Sequence, residues 1–284
     1  MKTYRSQKKD IAGISIQRVL PQVGCKNIGP FVFFDHIGPD TVKANSSGLD
    51  VAVHPHIHLV TCTYLLEGEV YHRDSLGYSQ NLVAGGVNWM VAGSGITHTE
   101  QSPDHLRGKA YNIHGAQFWL ALPKEKENIK PDFFHFAFDQ VPRWQEGLVK
   151  YALIAGSYEG QHGPCPLFSE TFLMHLTISK GSEVTLASKE EQAALYCLTG
   201  ELICNEHKIE KGELLRLPRV DKLTIKAKLQ SDFFLFGGQG LGRRYLDWNF
   251  VSSNRESILA AREKWKQQLF PMVPGETEFT PYPE

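Results

Sequence analysis

His54-Pro55-His56 and, further along, His98-Thr99-Glu100 are the stretches on which the reading of this chain turns. Each carries two potential metal donors at i and i+2, in surroundings rich in β-forming residues. Side chains alternate between the two faces of a strand, so residues two apart share a face, about 6.6 Å from each other along it. Two such pairs on separate strands can enclose one divalent ion with three imidazoles and one carboxylate. That donor set suits a redox-capable first-row metal better than a structural zinc site, where thiolates are more usual. A single His-x-His in a β-rich chain is common and ordinarily means nothing. The second pair adds weight, because His98 follows Gly93-Ser94-Gly95, which can turn sharply into a strand.

The composition narrows the classes of function. At 284 residues the chain is long enough for one large or two small domains, and its formal net charge of -1 gives no basic surface for a polyanion. Direct nucleic-acid binding is therefore not expected. Met1-Lys2-Thr3-Tyr4-Arg5-Ser6 has no apolar core of the signal-peptide kind, and no apolar run reaches membrane-spanning length. The five cysteines, Cys25, Cys62, Cys165, Cys197 and Cys204, are scattered and form no Cys-x-x-Cys. Reduced thiols in a cytoplasmic protein are the expectation, with no membrane partner.

Short β-type runs recur between Gly, Pro, Asn and Asp, among them Val60-Thr61-Cys62-Thr63-Tyr64-Leu65 and Phe172-Leu173-Met174-His175-Leu176-Thr177-Ile178. Such spacing predicts β-barrels or sandwiches. There is also an internal repeat. Thr63-Tyr64-Leu65-Leu66-Glu67-Gly68-Glu69-Val70 matches Leu195-Tyr196-Cys197-Leu198-Thr199-Gly200-Glu201-Leu202, and Gly86-x5-Ala92 matches Gly212-x5-Pro218. Two copies of one barrel account for both matches and for the length. Projected through the repeat, Leu186 and Ser188 fall near the positions of His54 and His56, and Arg219-Val220-Asp221 brings no histidine, so the second barrel is expected to lack metal. Pro123 to Pro164, rich in Lys, Glu and Pro, reads as a connector. Near the end, Ser253-x-x-Glu256 has the form of a capping box. Ile258, Ala261, Trp265 and Leu269 make a helical stripe expected to pack on a barrel and cover a sheet edge. A proline-rich tail follows.

The wider spacing resembles that of the cupins. Gly48, five residues, His54-x-His56 and then Gly68 follow the first cupin motif; Gly86, five residues, Ala92 and then His98 follow the second with one extra residue. The glutamate usual in the first motif is absent, with Val60 and Thr61 at its place, and Glu100 looks like its replacement from the other strand. These departures, with Gly29-Pro30-Phe31-Val32-Phe33-Phe34-Asp35-His36, Tyr64-Leu65-Leu66-Glu67-Gly68, Trp89 through Glu100 and Gln117-Phe118-Trp119-Leu120, resemble the pirins over nearly the whole chain. Trp248-Asn249-Phe250-Val251-Ser252-Ser253 is similar to the bacterial branch. His58 departs from the pattern, standing where a glycine is usual.

The resemblance implies an all-β bicupin of two jelly-roll type barrels with a C-terminal helix. The expected division is a metal-binding barrel over 1–122, a connector over 123–165, a barrel without metal ligands over 166–250, and a helix and tail over 251–284. It implies iron, Fe(2+), at His54, His56, His98 and Glu100, with other divalent first-row metals able to compete. Some pirins cleave the flavonol quercetin with dioxygen, so a quercetinase-type dioxygenase is one expectation, in which Glu100 is the catalytic base taking the flavonol hydroxyl proton. The alternative is a metal- and redox-responsive regulator that binds a transcription factor or metabolic enzyme as its protein partner. His58 reads as an outer partner of the ligands or a pocket wall, and His72, His105 and His114 as surface or structural histidines. Cys62, in phase with His54 and His56, reads as a buried apolar residue, with redox sensing as the functional alternative.

Overall fold

The computed structural model describes residues 1–44, 46 and 48–283, without the side chain of 188. Strands dominate, and among the described residues Arg255–Lys266 is the sole α-helix. Among the described residues no helix is long and apolar enough to cross a membrane. Residue contacts divide the chain into two units, each discontinuous in sequence. Lys9–Ile16, Ile37–Phe138 and Leu241–Glu284 form one, here the His54 unit. Met1–Lys8, Gln17–His36 and Asp139–Gly240 form the other, the Gly200 unit.

In the His54 unit a four-stranded sheet runs in the order Val51–His56, Ile96–Gln101, Glu69–Asp74, Ser79–Val83. A larger sheet runs Asp132–Phe136, Val87–Val91, Leu59–Glu67, Tyr111–Ala121 and continues through residues 37–42, 14–16 and 9–11, the parts of the last three strands that belong to this unit. The strand Glu69–Asp74 alternates buried and part-exposed residues, as one buried face requires. Leu65 and Ile113 from the larger sheet meet Val70 and Leu82 from the smaller in one apolar cluster, so the sheets enclose a common core.

The Gly200 unit repeats this plan strand for strand. Its smaller sheet is Glu183–Ser188, Val220–Ala227, Glu201–Cys204, His207–Glu210. Its larger sheet is Lys2–Arg5, Glu213–Leu217, Gln192–Thr199, Ser231–Gly238, Thr171–Ile178, Val149–Ala155, Arg143–Glu146. Leu186, Ile209 and Leu223 pack with Leu195, Leu215 and Phe233. The repeated glycines sit at the same turn with φ of +86° at Gly68 and +84° at Gly200. A Cβ there would lie 2.2 Å from the Asn112 carbonyl oxygen in one case and 2.4 Å from that of Gln230 in the other. Only glycine fits both the dihedral and the close approach, which is why the repeat is most visible there. The chain is thus all-β with two like-built barrels and a C-terminal helix, as the repeat predicts. The segment between 123 and 165 is itself built into sheets, with Asp132–Phe136 in the His54 unit and Arg143–Glu146 and Val149–Ala155 in the Gly200 unit.

The helix start differs from the capping-box reading. Asn254 is the N-cap, its side chain accepting from the Glu256 N–H at 2.9 Å, while Ser253 is engaged elsewhere. Ile258, Ala261 and Trp265 are buried, packed with Val53, Ile57 and Phe250. Leu269 lies beyond the helix and is 61% exposed; Phe270 takes its place in the cluster. The tail does what was expected of the helix. Phe279 bridges to Val53 and Phe250 to Ile57, and the Thr280 N–H donates to the Val53 carbonyl at 2.8 Å. The free edge of the strand Val51–His56 is thereby covered, which also accommodates Pro55, whose missing donor is harmless on an edge.

Trp265 is fully buried and donates its indole N–H to the Thr280 carbonyl at 3.0 Å. Trp265→Ala is expected to cost about 3–5 kcal/mol, the range for an emptied aromatic core site. Leu269→Ala should stay within about 0.5 kcal/mol, as exposed substitutions do. Urea midpoints of the two variants check both; equal midpoints would overturn this account of the C-terminal cluster.

Candidate metal centre

His54 and His98 are directly opposed cross-strand partners, and His56 lies two residues along the same strand. One ring nitrogen from each of His54, His56 and His98 lies within 4.8 Å of the other two. All three are buried, with exposures of 7%, 1% and 1%. Among the described residues no other group of His, Cys, Asp or Glu converges in this way. The turn leading into His98 is set by Gly93, where φ is +46° and a Cβ would lie 2.1 Å from the Ile129 carbonyl oxygen.

The outer hydrogen bonds decide which nitrogen of each ring faces inward. His54 Nδ1 lies 2.9 Å from the Ala52 carbonyl, and His56 Nδ1 lies 2.9 Å from the Asn249 carbonyl. A carbonyl only accepts, so both Nδ1 atoms carry the proton and both Nε2 atoms keep a lone pair. His98 is set through a longer chain. Asp74 Oδ2 lies 3.0 Å from His72 Nε2, and His72 Nδ1 lies 3.4 Å from His98 Nδ1. The carboxylate holds the proton on His72 Nε2, His72 Nδ1 accepts from His98 Nδ1–H, and His98 Nε2 is left with a lone pair. That Nε2 is buried with no hydrogen-bond partner among the described residues. Phe133 fixes the plane of His72 by stacking at 4.3 Å and 9°. The residues therefore fit a divalent metal ion, since three neutral imidazoles each present a free Nε2 and each is oriented from outside.

The sequence reading missed His72. It is buried, a structural and not a surface histidine, and it belongs to a third i, i+2 pair, His72-x-Asp74. The same alternation argument applied to that pair would have found it. His105 is exposed, as expected, 3.3 Å from Glu69.

Glu100 shares a face with His98, but its carboxylate is not among the converging atoms. Thr63 Oγ1 donates to Oε1 at 3.1 Å, and Gln117 Nε2 contacts Oε1 at 3.0 Å and Oε2 at 3.1 Å. A carboxylate has about four lone-pair positions, so these contacts leave one open on Oε2. A bulge between His98 and Glu100, in the pairing with Val51–His56, re-aims this end of the strand. Gln117 lies in the stretch Gln117-Phe118-Trp119-Leu120, and no local signal marks it as the holder of Glu100.

His58 leaves the strand altogether. It lies outside the flanking strands at φ +58°, and its Nδ1 lies 3.3 Å from Glu127 Oε2. Cys62 is fully buried, and burial pushes its thiol far above the ordinary cysteine range, which suits a core residue and not a redox sensor. Burial first, and then the charge of neighbouring histidines, lowers His56 and His98 well below the ordinary imidazole value. Burial lowers His54 as well. The cluster is thus held neutral, the form a metal requires.

Residues 13–120 match the Pirin family model and residues 173–271 the model of the Pirin C-terminal cupin domain. The chain is 35% identical to a pirin-like protein of Caulobacter vibrioides, over 99% of this chain and 98% of that one. It is 36% identical to a Pseudomonas aeruginosa protein named "Putative quercetin 2,3-dioxygenase", over 90% of this chain and 80% of that protein. Among solved structures it is similar to quercetin 2,3-dioxygenase from Acinetobacter baumannii, with a TM-score of 0.92 and 30% identity, covering 100% of this chain and 95% of that one. Matching models across both barrels, with a 35% identical relative aligned over 98% of its length, place the chain in the pirin family, as a bicupin.

Proposed function

We propose that this chain is an iron(II)-dependent dioxygenase of flavonol-type polyphenols, with His54, His56, His98 and Glu100 as metal ligands and Glu100 also as base. The observation that carries the reading is the set of three buried imidazoles whose Nδ1 atoms are all committed outward. The similarity to proteins named for quercetin 2,3-dioxygenase supports the substrate class. Iron(II) held there would supply a Lewis-acidic, redox-active centre with positions left over for a chelating substrate and dioxygen. The protein supplies the rest. The histidines orient, the buried surroundings exclude water, and Glu100 accepts the flavonol hydroxyl proton at Oε2. Because Gln117 and Thr63 leave one position on that carboxylate, ligation and proton acceptance compete for it unless Gln117 lets go.

Anaerobic iron loading followed by oxygen uptake with quercetin tests the activity; well-loaded protein that consumes no oxygen with any flavonol tried would sink it. Glu100→Gln should keep part of its metal, since the amide oxygen still coordinates, and lose activity about 100-fold, the scale of a missing general base. Full activity in that variant would remove Glu100 from the role.

His56→Ala should abolish stoichiometric metal binding, because it deletes a direct ligand. Elemental analysis of the purified variant reads this, and a full equivalent of retained metal would refute the ligand set. Anomalous scattering should show one metal peak per chain, with none within residues 166–250.

The metal-free protein carries a pH signature of the same cluster. Folded His54, His56 and His98 resist protons that the unfolded chain accepts near the ordinary imidazole value, about 6.5. Unfolding then takes up protons below that value, so stability falls as pH drops through it. The melting temperature should be lower at pH 5.5 than at pH 7.5, and His98→Gln should flatten the difference. A slope unchanged by His98→Gln would overturn the assignment.

A further inference from the structure

The stretch Trp248-Asn249-Phe250-Val251-Ser252-Ser253 has no role in the proposed chemistry, yet it touches the candidate centre. The Asn249 carbonyl is the acceptor that fixes the His56 ring. Trp248 sits at φ +51°, so the chain reverses immediately before that carbonyl. Two kinds of contact hold the stretch. Phe250 lies in the apolar cluster with Val53, Ile57, Ile258 and Trp265. The other contact is polar and centred on Glu127.

Glu127 is 4% exposed and is surrounded by donors. The Ser253 backbone N–H donates to Oε1 at 2.6 Å, and the Ser252 and Ser253 hydroxyls each donate to Oε2 at 3.1 Å. His58 Nδ1 lies 3.3 Å from Oε2 and Arg244 Nε 3.6 Å from Oε1. Burial alone would raise this carboxyl, but the contacts from His58 and Ser253 outweigh it and hold Glu127 below its ordinary value. His58 is itself tied down, with its N–H donating to the Gly93 carbonyl at 2.8 Å and its carbonyl accepting from Leu122 N–H at 3.0 Å. Arg244 Nη2 donates to the Leu122 carbonyl at 3.0 Å. One buried carboxylate thus gathers the end of the ligand strand, the turn before His98 and the C-terminal stretch.

We propose that Glu127 is a positioning residue for the metal centre: by anchoring Ser252 and Ser253 it holds the Asn249 carbonyl against His56 Nδ1 and so keeps His56 Nε2 aimed inward. The proposal rests on the metal reading for its consequence, but not for its geometry. It explains why His58 stands where the family pattern has glycine. The left-handed backbone is kept, and the side chain is added to the Glu127 cluster.

The test uses the full chain as Glu127→Ala and Glu127→Gln, with Leu269→Ala as a surface control. The apolar cluster around Phe250 and Trp265 remains in each, so the stretch stays packed. Release of zinc from preloaded protein into a chelator should accelerate about 10–100-fold in Glu127→Ala, the scale for losing an outer partner of a ligating histidine. Glu127→Gln, which keeps an acceptor for the Ser253 N–H, should recover part of the loss. Nitrogen-15 spectra of the histidine rings should show the fixed Nδ1–H form of His56 in the wild type and a tautomer mixture in Glu127→Ala. A loss of overall stability would not move that ring signature. Release within about twofold of wild type with an intact His56 signature overturns the proposal. If Glu127→Ala does not fold, the double variant Ser252→Ala, Ser253→Ala carries the same two readouts: faster release with a tautomer mixture supports the proposal, and wild-type behaviour in both overturns it. If the wild type takes up no divalent metal, the metal reading fails, and the His56 tautomer in the metal-free variants still decides this one.

Discussion

The cross-strand pair His54↔His98 is the constraint on which the centre depends. Two imidazoles with ring centroids 4.3 Å apart, and a third 5.1 Å from each, cannot all be protonated in a buried space. Burying them neutral is tolerable only if each remaining N–H finds an acceptor. The surrounding structure supplies one acceptor per ring: the Ala52 carbonyl, the Asn249 carbonyl, and His72 backed by Asp74. These acceptors come from three separate parts of the unit. The geometry of the cluster is therefore a property of the packed unit and not of the histidine-bearing strands alone.

That dependence accounts for the attention the fold gives to one edge strand. Val51–His56 lies at the end of its sheet and would otherwise expose unpaired backbone groups. The C-terminal tail pairs with it at Val53, and the stretch around Phe250 pairs with Ile57. The same stretch delivers the Asn249 carbonyl. Edge protection and the orientation of His56 are one set of contacts, anchored on the apolar side by Trp265 and on the polar side by Glu127.

The Gly200 unit is a control supplied by the molecule itself. It has the same strand order in both sheets. Where the His54 unit pairs His54 with His98, the corresponding smaller sheet pairs Leu186 with Leu223, both buried in the apolar cluster. A barrel of this design is thus compatible with either a polar cluster or an apolar core at that position. The side chain of Ser188, projected onto His56, lies outside the described residues. The donor set, and not the barrel, distinguishes the two units.

Much of this was legible in the residue order, because the features concerned are local and periodic. Strand alternation alone put His54 with His56 and His98 with Glu100, and the repeat around Gly68 and Gly200 disclosed two barrels, since the turn there tolerates only glycine. The same alternation puts His72 with Asp74, a third i, i+2 pair readable from the residue order alone. Other features had no local signal. Ser253 was readable as a helix cap until the fold gave it to Glu127 and the cap to Asn254. The hold of Gln117 on Glu100, and of Asn249 on His56, spans residues far apart in the chain. The sequence by itself determined which residue types share a face and where the turns fall, because sterics and periodicity act over a few residues. Only the tertiary structure decided which nitrogen of each histidine faces inward, because a tautomer is set by whichever acceptor packing brings to the other side of the ring.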